Sequence, residues 1–112
     1  MKLNQIIKDL GLEVKSKVST LDKEINGGYT SDLLSDVIAH INKDDIWITL
    51  QIHQNIVGVA ALKEISGIII VNGRKPEEET LKKAEAENIA IMVTELTAFE
   101  ITGKLYRLLG GC

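Results

Sequence analysis

Residues 67–76 read Gly67-Ile68-Ile69-Ile70-Val71-Asn72-Gly73-Arg74-Lys75-Pro76. Ile68 to Val71 is an unbroken β-branched run, the pattern of a central parallel strand covered on both faces. It is far too short to span a bilayer, which takes about 20 residues. Asn72 to Lys75 form a turn. Pro76 then sits where a helix accepts proline, at its first position, followed by Glu77, Glu78 and Glu79 at the positive end of the helix dipole. That dipole accounts for the three carboxylates without an acidic metal site.

The same rhythm of apolar run, polar turn and helical stretch recurs at Gly27-Gly28-Tyr29-Thr30-Ser31, at Thr49-Leu50-Gln51-Ile52-His53 and at Thr94-Glu95-Leu96-Thr97. It predicts an α/β fold, a three-layer α/β/α sandwich with a mostly parallel central sheet. In such sheets the turns after the strands share one edge, the usual place for a ligand.

Further out, residues 2–10 read as an amphipathic helix stopped by Gly11. Leu12, Val14 and Val18 alternate as in a half-buried strand. A short strand through Glu24 and Ile25 precedes the glycine pair. Residues 32–41 have a helix's apolar spacing, with Ser31 or Thr30 as cap. Ile46 to Leu50 reads as a strand and residues 54–65 as a deeply buried helix. Gly58 in that helix suggests close approach of another backbone, because it costs about 1 kcal/mol relative to Ala. Ile89 to Val93 is another strand. Thr97-Ala98-Phe99-Glu100 is a capping box that opens a last helix, with Phe99, Leu105, Tyr106 and Leu109 as its apolar face. Gly110-Gly111-Cys112 reads as a frayed tail.

The 112 residues suit one domain, and 45% hydrophobic content is enough for a core. With only 4% aromatic residues, Ile, Val, Leu and Ala must fill it. A net charge of -3 argues against nucleic acid as a partner, since phosphate backbones call for clustered Lys and Arg. The single cysteine, Cys112, rules out an internal disulfide or a Cys-based zinc cluster. The first residues form an amphipathic pattern rather than a signal peptide. A cytoplasmic protein with neither membrane segment nor cofactor is expected.

Seven residues from the turns are candidate ligand contacts: Gly27, Gly28, Thr30, Thr49, His53, Arg74 and Thr94. The amides of Gly27 and Gly28 could face an anion at a helix start, or the pair could form a tight turn with positive φ. The spacing is neither a dinucleotide fingerprint nor a P-loop. His53 suits a polar binding or capping role, since no nucleophile elbow or triad accompanies it. Arg74 and Lys75 could clamp a phosphate, or form a solvated turn. His40 falls off the apolar stripe of its helix, and two distant histidines make no metal motif. Cys112 lacks an activating neighbour.

The stretch Asp22-Lys23-Glu24-Ile25-Asn26-Gly27-Gly28-Tyr29-Thr30-Ser31-Asp32-Leu33-Leu34-Ser35-Asp36 resembles the signature segment of the DRTGG domain family. The resemblance continues through Trp47-Ile48-Thr49, Asn55-Ile56-Val57, Ile68-Ile69-Ile70, Gly73-Arg74, Pro76 to Glu79 and Thr94 to Phe99. Gly27 and Gly28 match the name-giving motif, while Glu24, Ile25 and Asn26 stand where Asp, Arg and Thr would. The resemblance implies a single three-layer domain over residues 1–112, similar in fold to the N-terminal domain of HPr kinase/phosphorylase. It also implies a dimerising or regulatory module of the kind found beside CBS pairs in regulatory pyrophosphatases. Relatives with kinase activity carry it in a separate P-loop domain. The expected function is a non-catalytic regulatory module that binds a small anionic ligand, such as a nucleotide, or a partner protein. A homodimer is expected too, through the apolar helices 32–41 and 54–65. The alternatives are a small phosphotransfer-related enzyme and a purely structural dimerisation domain.

Overall fold

Strand β4 (Gly67–Ile70) lies at the centre of a five-stranded sheet ordered β1-β5-β4-β3-β2. All four of its residues are buried, as the β-branched run predicts. Its neighbours are β3 (Asp45–Thr49) and β5 (Ala90–Val93), both parallel to it, and β2 (Gly27–Thr30) pairs in parallel with β3. The short β1 (Glu13–Val14) closes the other side antiparallel to β5. The computed structural model describes residues 1–111, so the part of the expected tail that falls on Cys112 lies outside the described residues.

Alternate residues of the strands feed two apolar layers. Trp47, Ile68, Ile70 and Ile91 face α2 (Leu34–His40), α3 (Asn55–Lys63) and α4 (Glu78–Ala86), where they meet Val37, Ile56, Val57, Ala60 and Ala84. Ile46, Ile48, Ile69 and Met92 face the other way, onto Leu3 and Ile6 of α1 (Leu3–Leu10) and Ile101 and Leu105 of α5 (Ala98–Leu108). This is the three-layer α/β/α sandwich. Every strand-to-helix connection of β2 to β5 therefore emerges at one sheet edge.

Several local expectations need correction. Gly27 and Gly28 are not a turn but the first half of β2, and neither has positive φ. Their lack of a side chain answers to packing: a Cβ on Gly28 would come within 3.0 Å of Leu105 Cδ2, so α5 could not lie this close. Gly58 has open space where a Cβ would stand, so no backbone approaches it. Neither Ser31 nor Thr30 is the N-cap of α2. Leu33 holds that position, and Ser31 Oγ accepts a bond from the Leu33 amide instead. Pro76 precedes the cap of α4, which is Glu77.

The segment around Val18 forms no strand. Ser16 takes over there, its hydroxyl donating to Ile89 O and accepting from the Ile91 amide. Glu24 makes only an isolated bridge to Lys2. The capping box at Thr97 and Glu100 forms as predicted. The apolar face of α5 forms only in part: Leu105 turns inward as expected, with Leu109 packed against the same layer and Ile101 joining it, while Phe99 and Tyr106 are 88% and 64% exposed.

Candidate functional site

The four loops at the carboxyl edge of the sheet are tied to one another by side chains. Asp32, between β2 and α2, accepts bonds on Oδ1 from Thr49 Oγ1 at 2.9 Å and from the Leu50 amide at 2.7 Å. Gln51 Nε2 donates back to Asp32 O at 2.6 Å. The next loop joins through Arg74, whose Nη1 donates to Leu50 O at 2.6 Å. Thr80 Oγ1 and the Glu77 amide both donate to Ile52 O. Gly73 and Asn72 donate their amides to Thr94 O and Leu96 O of the last loop. Thr94 Oγ1 in turn accepts from the Leu96 amide. A buried Thr49 hydroxyl is thereby satisfied, and the loop carbonyls and amides are largely consumed in holding the edge together.

Arg74 stands between two hollows in this edge. The first is lined by Asp32, Leu50, Gln51, His53, Arg74 and Glu77. Here His53 Nδ1 lies 3.7 Å from Glu77 Oε1. The second is lined by residues including Glu13, Lys15, Gly73, Arg74, Lys75, Thr94 and Glu95. Their electrostatics differ. Two carboxylates and one guanidinium border the first. Three cations, Lys15, Arg74 and Lys75, border the second against two carboxylates. One of those two, Glu13, is already engaged: Lys15 Nζ lies 2.8 Å from its Oε2. The Lys15 hydrogen bond and charge hold the Glu13 carboxyl below the usual carboxylate range, with a smaller contribution from the charge of Lys75. Among the described residues no carboxylate lies within 4.0 Å of the Arg74 guanidinium.

Of the seven candidate residues, the structure brings five to the carboxyl edge. His53 and Arg74 line the first hollow, and Arg74 and Thr94 the second. Thr49 is at this edge but buried, its hydroxyl given to Asp32. Thr30 also ends its strand here, yet its hydroxyl lies 2.7 Å from that of Thr102 on α5, away from both hollows. Gly27 and Gly28 do not join the group. They pair with Asp45 and Ile46 at the amino end of β3, and they line a separate groove with Thr30, Thr102, Leu105 and Tyr106.

Three polar residues of the edge escaped the candidate set. Asp32 reads in sequence as a first-turn helix charge, and Gln51 as one of several turn residues. Lys15 has no sequence signal at all, because only the antiparallel return of β1 brings it beside β5. His40, off the apolar stripe as expected, stacks on Tyr29 with ring centroids 6.0 Å apart and contacts Asp36 Oδ1 at 3.0 Å. Among the described residues, no three His, Cys, Asp or Glu side chains gather as a metal site would require. No helix among them is long and apolar enough to cross a membrane.

A mostly parallel sheet between two helical layers, with loops cross-braced at its carboxyl edge, defines a small three-layer α/β domain. The sequence matches the DRTGG domain over residues 5–108, and the chain belongs to that family. No curated protein matches it. Among solved structures it is similar to the CBS and DRTGG domains of the regulatory region of Clostridium perfringens pyrophosphatase, complexed with the activator diadenosine tetraphosphate. The two share 19% identity and superpose with a TM-score of 0.70, covering 93% of this chain and 45% of the other. The chain thus spans less than half the length of that structure, and at this identity the likeness is one of fold.

Proposed function

We propose that this DRTGG domain is a non-catalytic regulatory module that binds a small phosphate-bearing anion, of nucleotide chemistry, in the second hollow of the carboxyl edge. The observation that carries the reading is the convergence of Lys15, Arg74 and Lys75 on that hollow. The Arg74 guanidinium has one nitrogen fixed on Leu50 O and, among the described residues, no carboxylate partner, so its remaining donors suit a phosphate. Thr94 and the bend at Gly73 complete the lining. A regulatory region of similar fold is complexed with a nucleotide activator, which supports the ligand class. The reading includes a cytoplasmic setting and self-association as a homodimer. Binding without turnover is expected, because the sequence has neither a Lys-bearing phosphate loop nor a nucleophile paired with a base.

Titration calorimetry with a panel of nucleotides tests this. A nucleotide that binds should lose roughly 1.5–3 kcal/mol of affinity in Arg74→Ala if a charged hydrogen bond is removed. Lys75→Ala should also weaken it, whereas His53→Ala, in the other hollow, should leave it unchanged. Loss on His53→Ala with no effect of Lys75→Ala would move the ligand to the first hollow. Incubation with nucleoside triphosphates and magnesium should give no hydrolysis above buffer. Turnover abolished by His53→Ala would instead support the phosphotransfer enzyme.

A further inference from the structure

Helix α5 carries an outward stripe that the fold uses only in part: Thr102 meets the Thr30 hydroxyl and the Tyr106 ring lies against Gly111, while Phe99 stands open. Phe99, Thr102, Gly103 and Tyr106 recur at the spacing of one helix face. Phe99 and Tyr106 are the two most exposed aromatic side chains among the described residues, at 88% and 64%. Between them lies Gly103, with open space where a Cβ would stand. A glycine inside a helix lowers its stability by about 1 kcal/mol relative to alanine, and nothing within this chain requires one here. Helices α2 and α3, from which an interface was expected, leave Leu33, Ile38 and Leu62 exposed but no aromatic.

We infer that this stripe is the contact between two copies of the chain, paired antiparallel about a two-fold axis that passes beside Gly103. The inference deepens the self-association included in the reading above. A two-fold contact must be self-complementary, and the stripe meets that condition in shape and in charge. With Gly103 at the axis the two helix backbones can approach closely. Phe99, four residues before the axis, then lies over Tyr106 of the second copy, three residues after its own. Glu100 and Arg107 share one flank of the stripe, and antiparallel pairing sets that flank against its own copy. Each Glu100 then faces an Arg107.

Both groups are available for this. Glu100 Oε1 takes the Thr97 amide and hydroxyl, leaving the second carboxylate oxygen free. Among the described residues Arg107 makes no ion pair. The four rings, at roughly 150–250 Å² each when fully buried and partly covered already in the single chain, supply at most about 40–60% of a standard interface of about 1,600 Å². That extent suits a reversible dimer.

Sedimentation equilibrium over about 1–500 µM tests the inference, since a dimer is governed by mass action. The wild-type chain should be dimeric at the upper end. Gly103→Gln should raise the dimer dissociation constant about tenfold or more while raising the thermal midpoint of the dilute monomer, because Gln is the better helix former. Arg107→Glu should weaken the dimer, and Glu100→Lys combined with Arg107→Glu should recover it relative to Arg107→Glu alone. A wild-type dimer unaffected by Gly103→Gln and by Arg107→Glu would overturn the α5 surface and leave self-association standing. A wild-type chain monomeric throughout the range would overturn both, and would leave the stripe to a different protein.

Discussion

Asp32 ties two strand ends together with one carboxylate oxygen, so its loss should be felt well beyond its own exposed position. Removing it strands the buried Thr49 hydroxyl and the Leu50 amide. Asp32→Ala should therefore lower unfolding stability by roughly 1–3 kcal/mol in urea titration, the usual penalty for leaving such groups unpaired. An unchanged midpoint would mean that water replaces the carboxylate at no cost. Gly73 makes a sharper case. It sits at φ 66°, in the left-handed region, and a Cβ there would collide with the Glu95 carboxylate. The backbone penalty alone is roughly 1–2 kcal/mol for a residue with a side chain. Gly73→Ala should be destabilised by about that amount, with the Glu95 side chain swinging aside. Glu95→Ala in the same background should relieve only the collision and leave the backbone part.

At the level of single elements, α5 is the one helix whose start is fixed by side chains on both sides of its cap. Thr97→Ala should cost about 1 kcal/mol, read from equilibrium unfolding. The Thr97 amide and hydroxyl hold the Glu100 carboxyl below its ordinary value of 4.5 in the folded chain. Its contribution to stability is accordingly complete above that ordinary value and is lost as pH falls through the lowered folded one. The thermal midpoint of Glu100→Gln should thus approach that of wild type on acidification. A constant gap across that acid range would remove Glu100 titration from the account.

The capping box was legible because its chemistry is local, and β4 because every residue of it is buried on one face or the other. The glycine pair was misread for the opposite reason. Two glycines in sequence look like a bend, whereas here Gly28 makes room for Leu105, a residue almost eighty positions away on α5, and Gly27 for the Asp45 carboxylate. The face of α5 was half legible, because its spacing admits more than one stripe: Leu105 and Leu109 pack inward as expected, but Ile101 takes the place given to Phe99 and Tyr106. The candidate site was legible as an edge and not as a set of residues: Arg74 and Thr94 line the more cationic hollow, but Lys15 directly follows a strand whose place in the sheet no local pattern announces.

Taken whole, the molecule is a run of parallel strand–helix units closed off by one antiparallel strand from near the start of the chain. A nucleotide held between Arg74 and the β1 side would bridge that closing strand to the parallel units. At a concentration about 100 times its dissociation constant it should stabilise the fold by about 2.7 kcal/mol. The shift should shrink as salt rises and screens the three cations. The β1 closure also sets a timetable. Val14 pairs with Met92 and the Lys15 amide bonds Ile91 O, so partners separated by roughly 80 residues must meet. On a ribosome adding about 5–20 residues each second, the β1 segment waits on the order of 4–16 s for its partner to be made. Meanwhile the parallel units can assemble in chain order. Pulse-labelled hydrogen exchange during refolding should find the Lys15 amide protected after those of Ile68 to Ile70. Earlier or simultaneous protection of Lys15 would mean that the two ends of the sheet form together.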